Sequence, residues 1–184
     1  MTASPPRAPR ADWKRNHELL LRAAREIVLR DGAEASLEEI ARRAGIGSAT
    51  LHRHFPSRYA LLDEVFHNGI AELCTRAEHA TTGLDSRAAL VDWLADLAAY
   101  AAETRGVAEA LAANRTTEEP PLGGCHGLIR DVADRLLDAA TAAGTLRNAV
   151  DLDDLLTLTN AVSFAAGGDA VRARRVFMLA AAGL

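Results

Sequence analysis

The sequence predicts an all-α fold of nine helices. Of its 184 residues, 49% are hydrophobic but only 4% are aromatic, and much of the apolar content is alanine and leucine, which are strong helix formers. Apolar residues recur at helical spacing between breaks that are rich in glycine, proline and aspartate. No segment alternates convincingly with the period of two expected for a half-buried strand, and the length suits one large domain or two smaller ones.

The first predicted helix runs from near Trp13 to Arg30. Before it, residues 1 to about 12 are rich in proline and arginine and predict a disordered arm. Asp31-Gly32 ends the helix, because glycine readily takes the left-handed conformation found just after helices. Four residues at helical spacing form the predicted buried face: Leu20, Ala23, Ala24 and Ile27.

A capping box predicts the start of the second helix. The Ser36 hydroxyl can accept a hydrogen bond from the Glu39 amide, while the Glu39 carboxylate can reach back to the start of the helix. Gly45 and Gly47 end this helix and allow a tight turn into the next one. Its predicted buried residues are Leu37, Ile40, Ala41 and Ala44.

The third helix is short. We predict Ser48 as its cap and Phe55 as its end, because Pro56 disfavours a helical conformation in the residue before it. Two helices joined by a short glycine turn over residues 36–55 predict a helix-turn-helix unit, whose second helix enters the major groove of DNA. The exposed third-helix positions have short or hydrogen-bonding side chains, which suit base edges: Ser48, Ala49, Thr50, His52 and Arg53.

The charge distribution agrees with this interpretation although the net charge is −4. Residues 1–60 contain 11 basic and 7 acidic residues, whereas the remainder contains 10 basic and 18 acidic residues. A basic first third on an acidic body predicts that one end of the molecule meets a polyanion and the other does not.

Six further helices complete the prediction. Ser57 caps the fourth, Asp85 or Ser86 begins the fifth, and Gly106 separates the fifth from a short sixth helix that ends near Arg115. A loop rich in Thr, Glu, Pro and Gly covers residues 116–124. The last three predicted helices are Cys125–Ala143, Asp151–Ala166 and Asp169–Leu184.

The segment from Ala44 to Phe55, followed by Arg58 and Leu61-Leu62, resembles the signature of the tetracycline-repressor-like (TetR) family. The first helix, from Leu20 through Gly32, resembles the opening of that family. Cap, turn glycines, leucine, histidine and phenylalanine all fall in register, so the resemblance is specific over roughly 50 residues, the size of a small DNA-binding unit.

The resemblance implies roles for individual residues. His54 and Arg58 would contact phosphates, which position the protein without reading sequence. His52 departs from the family pattern, which usually has tyrosine there, and Leu37 stands where some members place a phosphate-binding threonine that Ser36 would partly replace. Four residues would face the major groove: Ser48, Ala49, Thr50 and His52.

The resemblance also implies a function. Residues 13–60 would form the DNA-binding domain, and residues 61–184 would form a helical-bundle domain for ligand sensing and dimerisation. The expected protein is a cytoplasmic, nucleoid-associated repressor and not an enzyme. It would bind a palindromic double-stranded DNA operator as a homodimer, and a small-molecule effector would release it. We expect no cofactor and no bound metal.

Apolar side chains with polar tips predict the ligand pocket, because such a mixture is typical of ligand sites. The predicted lining is Trp93, Leu97, Tyr100, Leu111, His126 and Phe164. Trp93, Leu97 and Phe164 could equally be ordinary core, since large apolar side chains are usually buried. The two strongly apolar C-terminal helices predict the dimer interface as a four-helix bundle, with Leu155, Val162, Phe164, Val176, Phe177 and Leu179 as contacts.

Two alternatives come from other protein classes. Glu64 and His67 form one Glu-x-x-His element of the kind that builds di-iron helix bundles, but such a site needs a second copy and two further glutamates. The other alternative is a ligand-binding bundle that does not bind DNA. Cys74 and Cys125 are expected to be inert thiols, with a redox pair as the alternative. Neither a secretory signal nor a membrane span is predicted.

Overall fold

The structure, a computed structural model, describes residues 9–80, 85–113, 125–146 and 149–183. Within these ranges the regular structure is entirely helical, which confirms the all-α prediction. Short 3₁₀ turns cover Gly32–Glu34 and Ala181–Gly183. The nine α-helices of the described ranges are α1 (Pro9–Asp31), α2 (Leu37–Ala44), α3 (Ser48–His54), α4 (Arg58–Ala80), α5 (Ser86–Glu103), α6 (Arg105–Ala113), α7 (Cys125–Ala142), α8 (Leu152–Ala166) and α9 (Ala170–Ala180).

Helix α1 begins at Pro9, four residues before the predicted start at Trp13. Proline is tolerated in a first helical turn because the amide hydrogen it lacks would have no partner there. Residues 9–12 of the predicted disordered arm are therefore helical, and residues 1–8 lie outside the described residues. The predicted inner face is confirmed, since Leu20, Ala23, Ala24 and Ile27 are all buried.

Half of the predicted capping box is present at α2. The Ser36 hydroxyl accepts from the Glu39 amide at 3.3 Å, but the Glu39 carboxylate does not reach back. Glu39 instead pairs with Arg30 at 3.0 Å, and Ser36 donates to Glu38 at 2.9 Å. An arginine on the neighbouring helix offers the carboxylate a charged partner, and a hydrogen bond to a charged group is stronger than one to a neutral amide.

The cap of α3 differs from the prediction. Gly47, in an extended conformation, is the N-cap and makes no side-chain bond, whereas Ser48 is already the first helical residue. The serine hydroxyl is therefore displaced from the capping position. At the other end, Phe55 is extended and ends the helix as Pro56 requires.

Side-chain caps begin four of the later helices where the sequence predicts them, the first being Ser57, whose hydroxyl accepts from the Ala60 amide at 3.1 Å before α4. Asp85 accepts from the Arg87 amide before α5, and Asp151 and Asp169 cap α8 and α9 in the same way. Helix α6 begins at Arg105, so Gly106 lies within its first turn and the break falls at Thr104 instead. The predicted loop 116–124 lies outside the described residues.

The chain divides into two compact units, residues 1–65 and 66–184, with the division inside α4. This division lies five residues after the predicted domain boundary. In the first unit, α2 packs against α1 and α3, which buries a continuous apolar core. Its most deeply buried side chains are Leu20, Ile27, Ile40, Leu51, Phe55, Leu61 and Leu62.

Helix α5 is central to the second unit, where it packs against α7, α8 and α9. This explains why its Leu90, Leu94 and Ala98 are fully buried. Arg174 of α9 pairs with Asp92 at 2.9 Å and also with Asp96, which ties α9 to α5 at the surface. None of the helices in the described ranges has the length and apolar character that a membrane span requires.

Three of the six residues predicted as dimer contacts face the core of the second unit. Leu155, Val162 and Phe177 are buried within the unit, and Phe177 has no exposed surface. They pack towards the core because α5 covers these faces of both helices, so they offer no surface to a partner. The other three predicted contacts are exposed: Phe164 at 66%, Val176 at 37% and Leu179 at 71%.

Candidate DNA-binding surface and ligand cavity

The turn between α2 and α3 is fixed by backbone hydrogen bonds. Gly45 is left-handed, with φ +68°, and its amide donates to the carbonyls of Ala41 and Arg42. The Ile46 amide donates to the Ala41 carbonyl at 2.9 Å. Because a left-handed residue after a helix favours glycine, this geometry explains the glycine at position 45 and holds α3 at a defined angle to α2.

One side of α3 is buried and the opposite side is exposed. Leu51 is completely buried, whereas Ser48, Ala49, His52 and Arg53 are exposed and Thr50 is half-buried. The helix contains no acidic residue. The positions predicted to read DNA therefore lie on accessible surface of the second helix of the helix-turn-helix unit. Their side chains are neutral or basic, as contact with DNA requires. We name this set of five residues the reading face.

His54 lies beside the reading face but belongs to an aromatic cluster. Its ring centroid is 4.6 Å from that of Trp13 and 5.5 Å from that of His17, and His17 stacks on Phe55 at 5.0 Å. His17 Nε2 bonds to Glu64 Oε1 at 2.6 Å. Trp13 and His17 were given no functional role from the sequence, and Glu64 was considered only in the Glu-x-x-His element, because the cluster joins positions up to 51 residues apart.

The cluster changes the chemistry expected of His54. Its Nδ1 is buried with no hydrogen-bond partner among the described residues, and burial, followed by the nearby His17, lowers the pKa of His54 below its ordinary value. The imidazole is therefore mainly neutral at pH 7. It can still donate one hydrogen bond to a phosphate as a neutral ring, but not as a cation.

His54 is expected to make the protein less stable in mild acid. Its folded pKa lies below the unfolded value of 6.5, so the unfolded state binds the proton first. The stability that neutral His54 contributes to the folded state is therefore fully present above pH 6.5. It is lost as the pH falls through the folded pKa. Urea denaturation at about pH 7.5 and about pH 5.5 measures the free energy of unfolding at each pH. The decrease from the higher to the lower pH should be smaller for His54→Phe than for wild type, because phenylalanine keeps a ring but cannot titrate. Equal losses in both proteins would contradict this assignment.

Arg58 and Ser36 have partners within the chain. An Arg58 amino nitrogen lies 3.3 Å from a Glu34 carboxylate oxygen and 3.5 Å from the Ala33 carbonyl. Glu34 is exposed and such surface pairs are weak, so a phosphate could replace it. Ser36 uses its hydroxyl proton and one lone pair in the cap of α2, and its position at a helix N-terminus suits an anion.

The second unit contains a cavity of about 370 Å³. Of the residues predicted to line a pocket, Leu97, Tyr100 and His126 do so. The remaining lining combines apolar side chains with hydroxyls and two arginines: Phe66, Ile70, Ala101, Thr104, Arg105, Ala108, Glu109, Ile129, Arg130, Leu156, Thr159, Asn160 and Ser163.

The other three residues predicted for the pocket do not line this cavity. Trp93 and Leu111 are buried core residues outside the cavity lining. Phe164 is 66% exposed, and the Arg105 guanidinium lies 3.8 Å above its ring centroid. Helical spacing identifies the inner side of a helix, but it cannot say which inner residues border a void and which are fully packed.

Tyr100 is held against α4. Its hydroxyl donates to the Phe66 carbonyl at 3.1 Å, and its ring centroid lies 5.9 Å from that of Phe66. Gly69 permits this approach, since an added Cβ there would lie 2.7 Å from Tyr100 Cε2 and closer still to the hydroxyl. The sequence signal for this close approach was Gly69 itself, because a glycine inside a helix often marks a place where another group packs closely.

The metal-enzyme alternative gains no support from the described residues. No group of three or more His, Cys, Asp or Glu side chains among them could hold a metal ion, and the Glu64 carboxylate bonds to His17. Cys74 and Cys125 are both buried and do not form a disulfide with each other.

Two family models match the chain. Residues 20–65 match the model for bacterial regulatory proteins of the tetR family. Residues 85–184, more than half of the chain, match the C-terminal domain of SbtR-like transcriptional regulators. No curated protein sequence matches the chain significantly.

Several solved structures are similar to this one over most of their length. A TetR transcriptional regulator of Streptomyces coelicolor is 30% identical, with 91% of this chain and 97% of that chain covered and a TM-score of 0.72. A TetR regulator of Mycobacterium vanbaalenii is 28% identical, with 94% and 98% covered and a TM-score of 0.72. The regulator FadR of Bacillus subtilis, in complex with stearoyl-CoA, shares the fold at 14% identity, with 91% and 99% covered and a TM-score of 0.62.

Proposed function

Because the chain belongs to the TetR family of bacterial regulatory proteins, we propose that it is a ligand-released repressor that binds a palindromic operator as a homodimer. The observation that carries the DNA-binding half is the reading face, an accessible side of α3 without acidic residues, held by the glycine turn on a buried core. The basic excess of residues 1–60 supplies attraction to a polyanion.

The cavity supports the ligand-responsive half. Its volume of about 370 Å³ lies at the lower end of the range typical of small-molecule sites. FadR of Bacillus subtilis, a fold neighbour, is known in complex with stearoyl-CoA, so this fold can accommodate a ligand. We propose that the effector of the present chain binds in this cavity of the second unit.

Exposed apolar side chains support the homodimer. Phe164, Val171, Val176, Met178 and Leu179 are large, apolar and exposed on α8 and α9. Apolar patches of this kind on a water-facing surface mark interaction sites, and a two-fold dimer would use the same surface from both subunits. A palindromic operator follows, because two-fold symmetry in the protein is matched by two-fold symmetry in the DNA.

Helix α4 supplies a route from ligand to DNA in this proposal. It contributes Leu61 and Leu62 to the core of the first unit, and Phe66 and Ile70 to the lining of the cavity. The two reading helices of a dimer must lie about 34–36 Å apart to enter successive major grooves. A ligand that binds best when α4 is displaced would therefore favour the state that does not bind DNA.

Arg53→Ala tests the reading face. On a fragment from upstream of the protein's own gene, affinity is expected to fall about 5- to 150-fold, the loss of one base or phosphate contact worth about 1–3 kcal/mol. Arg53 is exposed, so the free energy of unfolding should change by less than about 0.5 kcal/mol. Gel-shift titration at several salt concentrations measures the affinity and its salt slope.

The matched control is Arg76→Ala, which removes an exposed arginine from the part of α4 that lies in the second unit. It should leave DNA affinity almost unchanged. Equal loss in the two variants would mean that only overall charge matters. Failure of the wild-type protein to select any fragment over random sequence would overturn the proposal.

A further inference from the structure

The buried polar groups of the cavity are hydroxyls whose protons are already used. Thr104, Thr159 and Ser163 line the cavity and are at least nine-tenths buried. Each donates to a carbonyl of its own helix: Thr104 to Tyr100 at 2.7 Å, Thr159 to Leu155 at 2.8 Å, and Ser163 to Asn160 at 2.8 Å. The Tyr100 hydroxyl likewise donates to the Phe66 carbonyl.

A hydroxyl has one proton to donate and two lone pairs that accept. Because their protons are bonded to carbonyls, the hydroxyls of Thr104, Thr159 and Ser163 present acceptor lone pairs to a ligand. A ligand that donates hydrogen bonds can bind these lone pairs without disturbing any bond of the protein. A ligand that only accepts would require a hydroxyl to turn away from its carbonyl.

The charged groups of the lining disfavour charged ligands of either sign. The Arg105 side chain bonds to Glu109 at 2.8 Å and to the Phe164 carbonyl at 3.2 Å, and Arg130 bonds to Asp153 at 2.6 Å. Both arginines are partly exposed and paired with exposed carboxylates, so they would meet an anion at the solvent side of the lining, where ion pairs are weak. A buried anion would find no uncommitted donor among the buried hydroxyls, and the carboxylate of the described lining that a cation could meet, that of Glu109, already bonds to Arg105. An ion without such partners is costly to bury.

Size and shape narrow the ligand further. The cavity volume of about 370 Å³ accommodates a compact body, and the rings of Phe66 and Tyr100, with centroids 5.9 Å apart, form part of the wall. Aromatic walls favour flat ring systems, which pack against them edge-on or offset. Leu97, Ile70 and Ile129 supply further apolar surface.

We infer that this cavity binds an uncharged alcohol or phenol with a compact, apolar, ring-containing body. The inference rests on the ligand-binding function proposed above. The ligand hydroxyl donates to one of the three buried side-chain oxygens, and the ring system fills the apolar part of the cavity.

Four probes with one ring system test the inference: 2-naphthol, naphthalene, 2-naphthoate and 2-naphthylmethylammonium. Titration of the full chain by calorimetry should show 2-naphthol binding about 2- to 12-fold more tightly than naphthalene, the factor for one neutral hydrogen bond. Both ions should bind more weakly than naphthalene. Thr104→Val, Thr159→Val and Ser163→Ala each remove one acceptor, and at least one of them should abolish the advantage of 2-naphthol while leaving naphthalene affinity unchanged.

Thermal unfolding shows whether each variant is folded. If one of the three variants does not fold, the other two still test the inference. Tightest binding by naphthoate or by the ammonium probe, or equal binding by all four, would overturn the ligand class. Either result would leave ligand binding by the cavity intact. Binding of none of the four would overturn the inference and would count against the ligand-binding part of the proposed function as well.

Discussion

Phe177→Ala is expected to lower the free energy of unfolding by about 3–5 kcal/mol, the usual cost of removing a fully buried aromatic ring. Phe177 has no exposed surface and lies on the side of α9 that packs against α5. Its removal leaves a cavity in the second unit, and the neighbouring helices can close only part of it. Chemical denaturation of wild type and variant measures the difference directly.

Leu179→Asp is the contrasting variant on the same helix. Leu179 is 71% exposed, so the charge costs little within one subunit but would be buried in a dimer that uses this face. Light scattering should show a shift towards monomer for Leu179→Asp, while Phe177→Ala lowers stability at every protein concentration. The interpretation fails if Phe177→Ala leaves stability unchanged and dissociates the dimer, because Phe177 would then be an interface residue.

Local chemistry made much of the first unit predictable. Gly45 takes the left-handed conformation that a helix end favours, and Pro56 limits α3 at Phe55. The buried face of α1 follows from helical spacing alone, since its four predicted residues are all inside. These features depend on residues close together in the chain, where turn and cap geometry leaves few alternatives.

The inner and outer sides of α8 and α9 could not be separated in this way. Both helices have apolar residues around most of their circumference, so periodicity does not select a core face. Phe164 and Phe177 were predicted for the same interface, yet the first is mostly exposed and the second is fully buried. The distinction depends on where α5 lies, which is a property of tertiary packing.

The candidate sites show the same limit. Five positions of the reading face follow from a single short helix, whereas the aromatic cluster around His54 joins residues from α1, the end of α3 and α4. Likewise, Tyr100 was predicted for the pocket, but Thr104, Thr159 and Ser163 were not. A buried hydroxyl that bonds to its own helix has the same sequence signature whether it borders a void or other side chains.

Gly69→Ala is expected to disturb the cavity more than any other single methyl addition at a described glycine. The new Cβ would lie 2.5 Å from Tyr100 Cζ and 2.7 Å from Cε2, so the ring must leave its place and lose its bond to the Phe66 carbonyl. Overpacking of this kind costs about 1–3 kcal/mol. Since Tyr100 lines the cavity, the displaced ring enters ligand space, and 2-naphthol affinity should fall about tenfold or more.

Gly127→Ala is the matched control, because Gly127 lies in α7 and an added Cβ would meet nothing within 4 Å. It should raise the free energy of unfolding by up to about 1 kcal/mol, the difference in helix propensity between the two residues. The two alanine variants are thus expected to change stability in opposite directions.

Tyr100→Leu combined with Gly69→Ala should recover part of the lost stability, because the shorter side chain removes the clash. If the double variant is destabilised by the sum of the two single changes, the cost of Gly69→Ala does not come from Tyr100. The close approach of Tyr100 to Gly69 would then not explain the effect.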